Sequence, residues 1–131
     1  MVYPERRRGL RVDAKLNVKI EFIFPEEVFP SQDMRARSLN IGEQGMKLRL
    51  ADVSENFYAR LIGDLRSAKV SFALPTTKAT NRVLGEIVWS NFDPKTRECL
   101  FGLNFKRVKP EIRQNMHDYI EVFRHPKSEP A

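Results

Sequence analysis

Apolar and polar residues alternate strictly from Lys15 to Phe22. Leu16, Val18, Ile20 and Phe22 are apolar, while Lys15, Asn17, Lys19 and Glu21 between them are polar. A period of two marks a strand with one buried face. The pattern returns as Met46, Leu48 and Leu50 around Lys47 and Arg49, and as Val70, Phe72 and Leu74 around Ser71 and Ala73. Two further strands follow. In the first, Val83, Gly85, Ile87 and Trp89 point inward, with Arg82 and Glu86 opposite; in the second the inward set is Phe101, Leu103 and Phe105. Met34 to Ile41 alternates less cleanly, but it lies between turn signals and is read as a strand as well. Turns are expected around Pro25 and Pro30, over Asn40 to Gly45, over Pro75 to Asn81 and at Asn91-Phe92-Asp93-Pro94. About six strands at this spacing predict a mainly β fold, a closed or nearly closed antiparallel barrel.

Two segments carry a helical period instead. Ile112, Met116, Tyr119, Ile120 and Phe123 form one apolar stripe behind Pro110, a residue tolerated in a first turn. The predicted terminal helix lies on the barrel and ends at Pro126. Between Asp52 and Ile62, Val53, Phe57 and Leu61 suit a short helix stopped by Gly63, and a packed loop would use the same residues. The expected organisation is a mobile arginine-rich arm over residues 1–14, a barrel with its helix over 15–124, and a flexible tail over 125–131.

The chain has 131 residues, 41% of them hydrophobic, enough for one core without a disulfide or metal staple. The single Cys99 forms no internal bridge and fits a reducing compartment. The residues after Arg8 are too polar for the apolar core of a leader, and no apolar run reaches the roughly 18 residues of a membrane span. A soluble, cytoplasmic protein without membrane insertion is expected. The net charge is +6, and half of it comes from Arg6, Arg7, Arg8 and Arg11 against Glu5. Such a cluster on an otherwise balanced chain suggests a local anion site, and the planar guanidinium can bind phosphate or a guanine edge through paired donors.

Catalytic chemistry finds little support. His117 and His125 lie on or just after the terminal helix, and one cysteine with two distant histidines cannot build a zinc site. No phosphate-cradling glycine loop or nucleophile elbow occurs. No cofactor is expected. Two segments stand out instead. Glu5-Arg6-Arg7-Arg8-Gly9-Leu10-Arg11 is, on its own, a solvated basic terminus. Ser38-Leu39-Asn40-Ile41-Gly42-Glu43-Gln44-Gly45 is, on its own, a hairpin turn in which Gly42 and Gly45 supply positive φ and Asn40 tolerates a left-handed conformation.

Taken together, these segments resemble in order and separation the signature of the PilZ domain, a bacterial receptor module for cyclic di-GMP. That signature is RxxxR followed some 20 to 40 residues later by [D/N]xSxxG. Here it stands as Arg7-Arg8-Gly9-Leu10-Arg11 and Asn40-Ile41-Gly42-Glu43-Gln44-Gly45. The resemblance runs from about Tyr3 to Phe123, including Leu74-Pro75, Gly85-Glu86-Ile87-Val88-Trp89 and Phe101-Gly102-Leu103-Asn104-Phe105. The chain departs from the signature at Gly42, where the family has serine.

The resemblance implies a six-stranded antiparallel barrel with a terminal helix and a site for cyclic di-GMP. Arg7 and Arg11 would contact phosphate and the guanine Hoogsteen edge, and Arg8 would stack on a base or add charge. Asn40 would pair with a guanine edge, a backbone N–H of Gly42 would replace the serine hydroxyl, and Gly45 would let the backbone approach closely. The arm would order over the nucleotide and signal to a downstream protein of motility, biofilm or exopolysaccharide machinery. One alternative is an adaptor of the same fold that binds no nucleotide. Another is a small nucleic-acid-binding barrel, disfavoured because Phe22, Phe72, Phe101 and Phe105 fall on core faces.

Overall fold

In the computed structural model, residues 11–23, 32–63, 67–77 and 79–124 are described. The alternating segments become seven strands: β1 (Arg11–Asp13), β2 (Asn17–Ile23), β3 (Gln32–Gly42), β4 (Gly45–Leu50), β5 (Ser67–Ala73), β6 (Thr80–Asp93) and β7 (Glu98–Lys106). Two helices complete the fold, α1 (Glu55–Gly63) between β4 and β5 and α2 (Pro110–Arg124) after β7. Every pairing is antiparallel, in the order β3-β2-β5-β6-β7-β4, and a β3–β4 pairing closes the ring. The result is the expected six-stranded barrel with its terminal helix, plus one extra strand. That strand, β1, pairs with Asn40–Gly42 of β3, beyond the stretch that β2 occupies.

Burial follows the alternation. Val18, Ile20 and Phe22 of β2 meet Met46, Leu48 and Leu50 of β4, Val70 and Phe72 of β5, and Phe101 and Leu103 of β7 in one core. The rings of Phe22 and Phe101 lie 6.0 Å apart at its centre. Arg11–Ala14, the end of the expected arm, are seated on the barrel, because Val12 and Ala14 continue the inward phase of β2 and are buried with it. Residues 1–10 and 125–131, and with them Arg7, Arg8 and His125, lie outside the described residues.

Ser38 holds the junction between β1 and β2. The chain leaves the ladder over residues 14–16, and the buried Ser38 hydroxyl accepts a hydrogen bond from Leu16 N at 2.8 Å while donating to the Ala14 carbonyl. On the backbone, Ser38 N donates to Leu16 O and Ala14 N to Leu39 O, at 3.0 and 3.2 Å. The gap in the sheet is thus filled by one side chain.

Two β-bulges explain where alternation fails. Between β3 and β4 the register steps from Ser38↔Leu48 to Asn40↔Lys47, so Leu39 is the extra residue. Ala36 and Ser38 point inward before the bulge and Ile41 after it, which breaks the period over Met34 to Ile41. Between β6 and β7 the register steps from Ile87↔Leu103 to Trp89↔Gly102 across Val88. Trp89, expected inward from its odd position, therefore stands on the outer surface with 42% exposure. The bulge also carries β6 onward: Asn91, Phe92 and Asp93, expected to turn, pair with Leu100, Cys99 and Glu98. The turn falls one step later, where Arg97 takes a φ of 64° and its N–H bonds Asp93 O at 2.7 Å.

The Asp52–Ile62 segment is the helix α1. Ser54 caps it, accepting from Phe57 N at 3.0 Å, and Leu61 is buried while Phe57 sets its ring edge against Phe22 at 5.3 Å. Helix α2 packs against β1 and β3, burying Ile112, Met116, Tyr119 and Ile120. Asn115 of α2 donates to Asn81 Oδ1 at 3.0 Å, and the buried Asn81 amide donates in turn to Phe72 O at 3.2 Å. Among the described residues no helix is long and apolar enough to cross a membrane.

Ser38→Ala leaves Leu16 N and Ala14 O without their shared partner. Stability falls by about 1–3 kcal/mol, read as a lower urea midpoint at an unchanged denaturant slope.

Candidate functional site

The β3–β4 hairpin turns through only Glu43 and Gln44, and β1 runs alongside it with Arg11 opposite Gly42. No glycine among the described residues has a positive φ, so Gly42 and Gly45 do not serve the turn in the way the sequence suggested. The demand on Gly45 is spatial. It lies opposite Asn104 of β7, and a Cβ there would overlap the Leu103 carbonyl oxygen and stand 3.1 Å from an Arg11 guanidinium nitrogen. Its missing side chain thus makes room for β7 and for Arg11. Gly42 is buried.

Arg11 lies across this surface. Its Nη1 donates to Asn40 Oδ1 at 3.2 Å, and partial burial lowers its pKa from the usual arginine value. The guanidinium stays charged at neutral pH. Among the described residues no carboxylate pairs with it, so a partly desolvated cation rests on a neutral amide. Of the six residues predicted to form the site, the fold brings together Arg11, Asn40, Gly42 and Gly45, while Arg7 and Arg8 lie outside the described residues.

Two neighbours escaped the sequence reading. The register sets Asn40, Lys47, Gly102 and Trp89 abreast on the outer face of β3, β4, β7 and β6. Trp89 lies against Gly102, where any Cβ would overlap the indole, and Lys47 Nζ is 5.5 Å from the indole centre. Lys47 carried a weak signal, being the first outward residue after Gly45. Trp89, the chain's single tryptophan, carried a misleading one, since its outward aim depends on the Val88 bulge. Arg11, Lys47, the Asn40 amide and the half-exposed indole together offer cations for phosphate, an amide for a base edge and a flat face for stacking.

The hairpin is also tied to the terminal helix. Glu43 Oε2 lies 2.8 Å from His117 Nδ1, and this hydrogen bond is the main cause that raises the His117 pKa above 6.5; the nearby Glu121 and Asp118 charges add to it. Elsewhere, burial pushes the Cys99 thiol up to about 11, which makes it a poor nucleophile. No cluster of metal-ligating side chains occurs among the described residues.

A seven-stranded sheet closed as a six-stranded barrel, with a short flanking strand and a terminal helix across β1 and β3, gives the chain a PilZ-like fold. Solved structures share this fold. The Bacillus subtilis inhibitor of motility MotI/DgrA superposes with a TM-score of 0.66 at 22% identity, over 90% of this chain and 50% of that one. Borreliella burgdorferi PlzA in complex with c-di-GMP matches with a TM-score of 0.57 at 12% identity, over 92% of this chain and 53% of that one. The PilZ domain of YcgR from Escherichia coli, with c-di-GMP, matches with a TM-score of 0.57 at 11% identity, over 92% and 93% of the two chains. The chain thus spans about half the length of MotI/DgrA and PlzA. No protein-family profile matches the sequence, and no curated protein matches it.

The Glu43–His117 contact gives a pH signature. A raised folded-state pKa makes the pair's stabilisation complete below the unfolded value near 6.5 and lost as pH rises through the folded value. NMR titration of His117 gives a pKa above 6.5 that falls in Glu43→Gln. The stability gap between the two proteins is widest below the unfolded value near 6.5 and narrows as pH rises through the raised folded value.

Proposed function

We propose that this chain is a cyclic di-GMP receptor that acts through protein contacts, without catalysis or a bound cofactor. The observation that carries the reading is the Arg11 guanidinium, partly desolvated, resting on Asn40 above Gly45 with no carboxylate paired to it among the described residues. The ligand presents two phosphates and two guanine bases. Arg11 supplies paired donors for a phosphate or for guanine O6 and N7. Asn40 offers its amide to a guanine edge, and its carbonyl, which already accepts from Arg11, also aims that guanidinium. Lys47 adds charge, and Trp89 offers a face for a base.

In this reading Arg7 and Arg8 of the arm join Arg11, which pairs opposite Gly42, in holding the nucleotide. In this reading residues 1–10 order over the nucleotide and create a new surface for a partner in motility, biofilm or exopolysaccharide machinery, in the cytoplasm. The c-di-GMP complexes of PlzA and YcgR support the choice of ligand, and MotI/DgrA, an inhibitor of motility, supports the choice of output. Gly42 in place of the family serine favours a second reading, an adaptor of the same fold without nucleotide. In the receptor reading a backbone N–H at Gly42 takes over from the hydroxyl.

Isothermal titration with cyclic di-GMP, with GTP as control, separates the two readings. A receptor binds the dinucleotide, and Arg11→Ala weakens it about tenfold or more. A folded wild type that gives no heat with cyclic di-GMP is the adaptor.

A further inference from the structure

On the side of the barrel away from the hairpin, the register sets a second row abreast: Arg35 of β3, Lys19 of β2, Ser71 of β5 and Arg82 of β6. Three of the four are cations, all exposed, and Arg35 stands directly opposite Lys19. Like charges placed opposite one another destabilise a sheet. A groove of about 790 Å³ follows the Lys19–Ser71–Arg82 part of this row, and Lys69 and Lys109 join Lys19 and Arg82 along it, with Glu21 the one carboxylate among the described lining residues.

Other outer carboxylates are engaged elsewhere: Glu86 with Lys106 at 3.1 Å, Glu98 with Arg49 at 4.0 Å, and Glu43 with His117. Among the described residues, no such pair neutralises Arg35, Lys69, Arg82 or Lys109. Glu21 stands opposite Lys69 in the register, but Arg35 and Arg82 face Lys19 and Ser71, with no carboxylate opposite either, so these two arginines point to an anionic ligand from outside the chain.

We propose that the outer face of β2 and β5, with the adjoining parts of β3 and β6, is a docking surface for an acidic segment of a partner protein. Three strand spacings make the row about 14 Å wide, enough to seat a helix about 10–12 Å across. Among the described residues no aromatic side chain lines the groove, whereas single-stranded nucleic acid binds by stacking bases on aromatic rings. Leu84, on the groove wall and half exposed, and Glu21 give it the mixed apolar and polar character of a protein interface. The surface is independent of the proposed nucleotide site. The row Asn40–Lys47–Gly102–Trp89 uses β4 and β7, the cationic row uses β2 and β5, and both meet only β3 and β6.

Fluorescence polarisation of the full chain with labelled poly-glutamate at low salt tests the proposal. Poly-lysine of the same length, oligothymidylate and phosphatidylserine vesicles serve as competing probes. The expected result is poly-glutamate binding that weakens with salt and falls about tenfold or more in Arg35→Glu/Arg82→Glu. Lys95→Glu/Arg113→Glu, which changes net charge equally away from the face, retains most of the binding. Thermal melts of both double variants establish that they fold, and a single Arg82→Gln variant replaces the first if it does not. Equal loss in the two double variants, no binding of poly-glutamate, or tighter binding of oligothymidylate or vesicles than of poly-glutamate would each overturn the proposal.

Discussion

Strand β3 is bonded along both edges, to β1 and β2 on one side and to β4 on the other, and this double pairing is what closes the sheet. Closure leaves the barrel no free edge, but it forces one strand to serve partners of different register. The bulge at Leu39 meets that demand by adding a residue on the β4 side, while Ser38 spans the break between β1 and β2 on the other. Both devices lie immediately before Asn40. The irregularity that closes the barrel also turns Asn40 to the outer surface, where Arg11 reaches it from β1.

Much of this architecture was legible because one face of most strands is fully buried. Val18, Ile20 and Phe22, or Met46, Leu48 and Leu50, could not be displaced by one position without exposing the core, so their period of two is a structural necessity. Legibility fails where a bulge changes the phase. Trp89 read as inward because it shares parity with Val83 and Ile87, yet the extra residue at Val88 reverses its face. Nothing local in the sequence marks that step, since Val88 has high strand propensity like its neighbours. Asn91 to Asp93, with Pro94, read as a turn for their Asn, Asp and Pro residues, and were claimed by β7 because Phe92 has a core contact to make opposite Cys99.

The candidate site was legible as a set of residues more than as a geometry. Arg11, Asn40, Gly42 and Gly45 do converge, but the glycines were credited with backbone conformations that they do not adopt. Gly45 is required because β7 comes so close that the Leu103 carbonyl occupies the space of a side chain. That demand depends on a residue 58 positions away, beyond the reach of local turn rules. The same holds for Lys47 and Trp89, which become neighbours only through the shared contact with Gly102. Local chemistry is written in the motif, and its surroundings are written in the register.

The placement of charge connects the two faces of the barrel. A guanidinium held partly out of water loses hydration, and an amide oxygen returns only part of it; an arriving phosphate restores the remainder and gains from the cation's fixed position. In the proposed receptor Asn40 and the space at Gly45 already fix Arg11, so a phosphate would meet a cation that is held in place. The opposite face works on another principle. Arg35 and Arg82 are solvated and stand three strand spacings apart, on β3 and β6, which suits long-range attraction of an acidic surface more than tight capture of one small anion. Arg35 and Asn40 lie on the same strand, one on either side of the Leu39 bulge. Strand β3 is thus the one element that carries a residue of both proposed surfaces beside the bulge that closes the barrel.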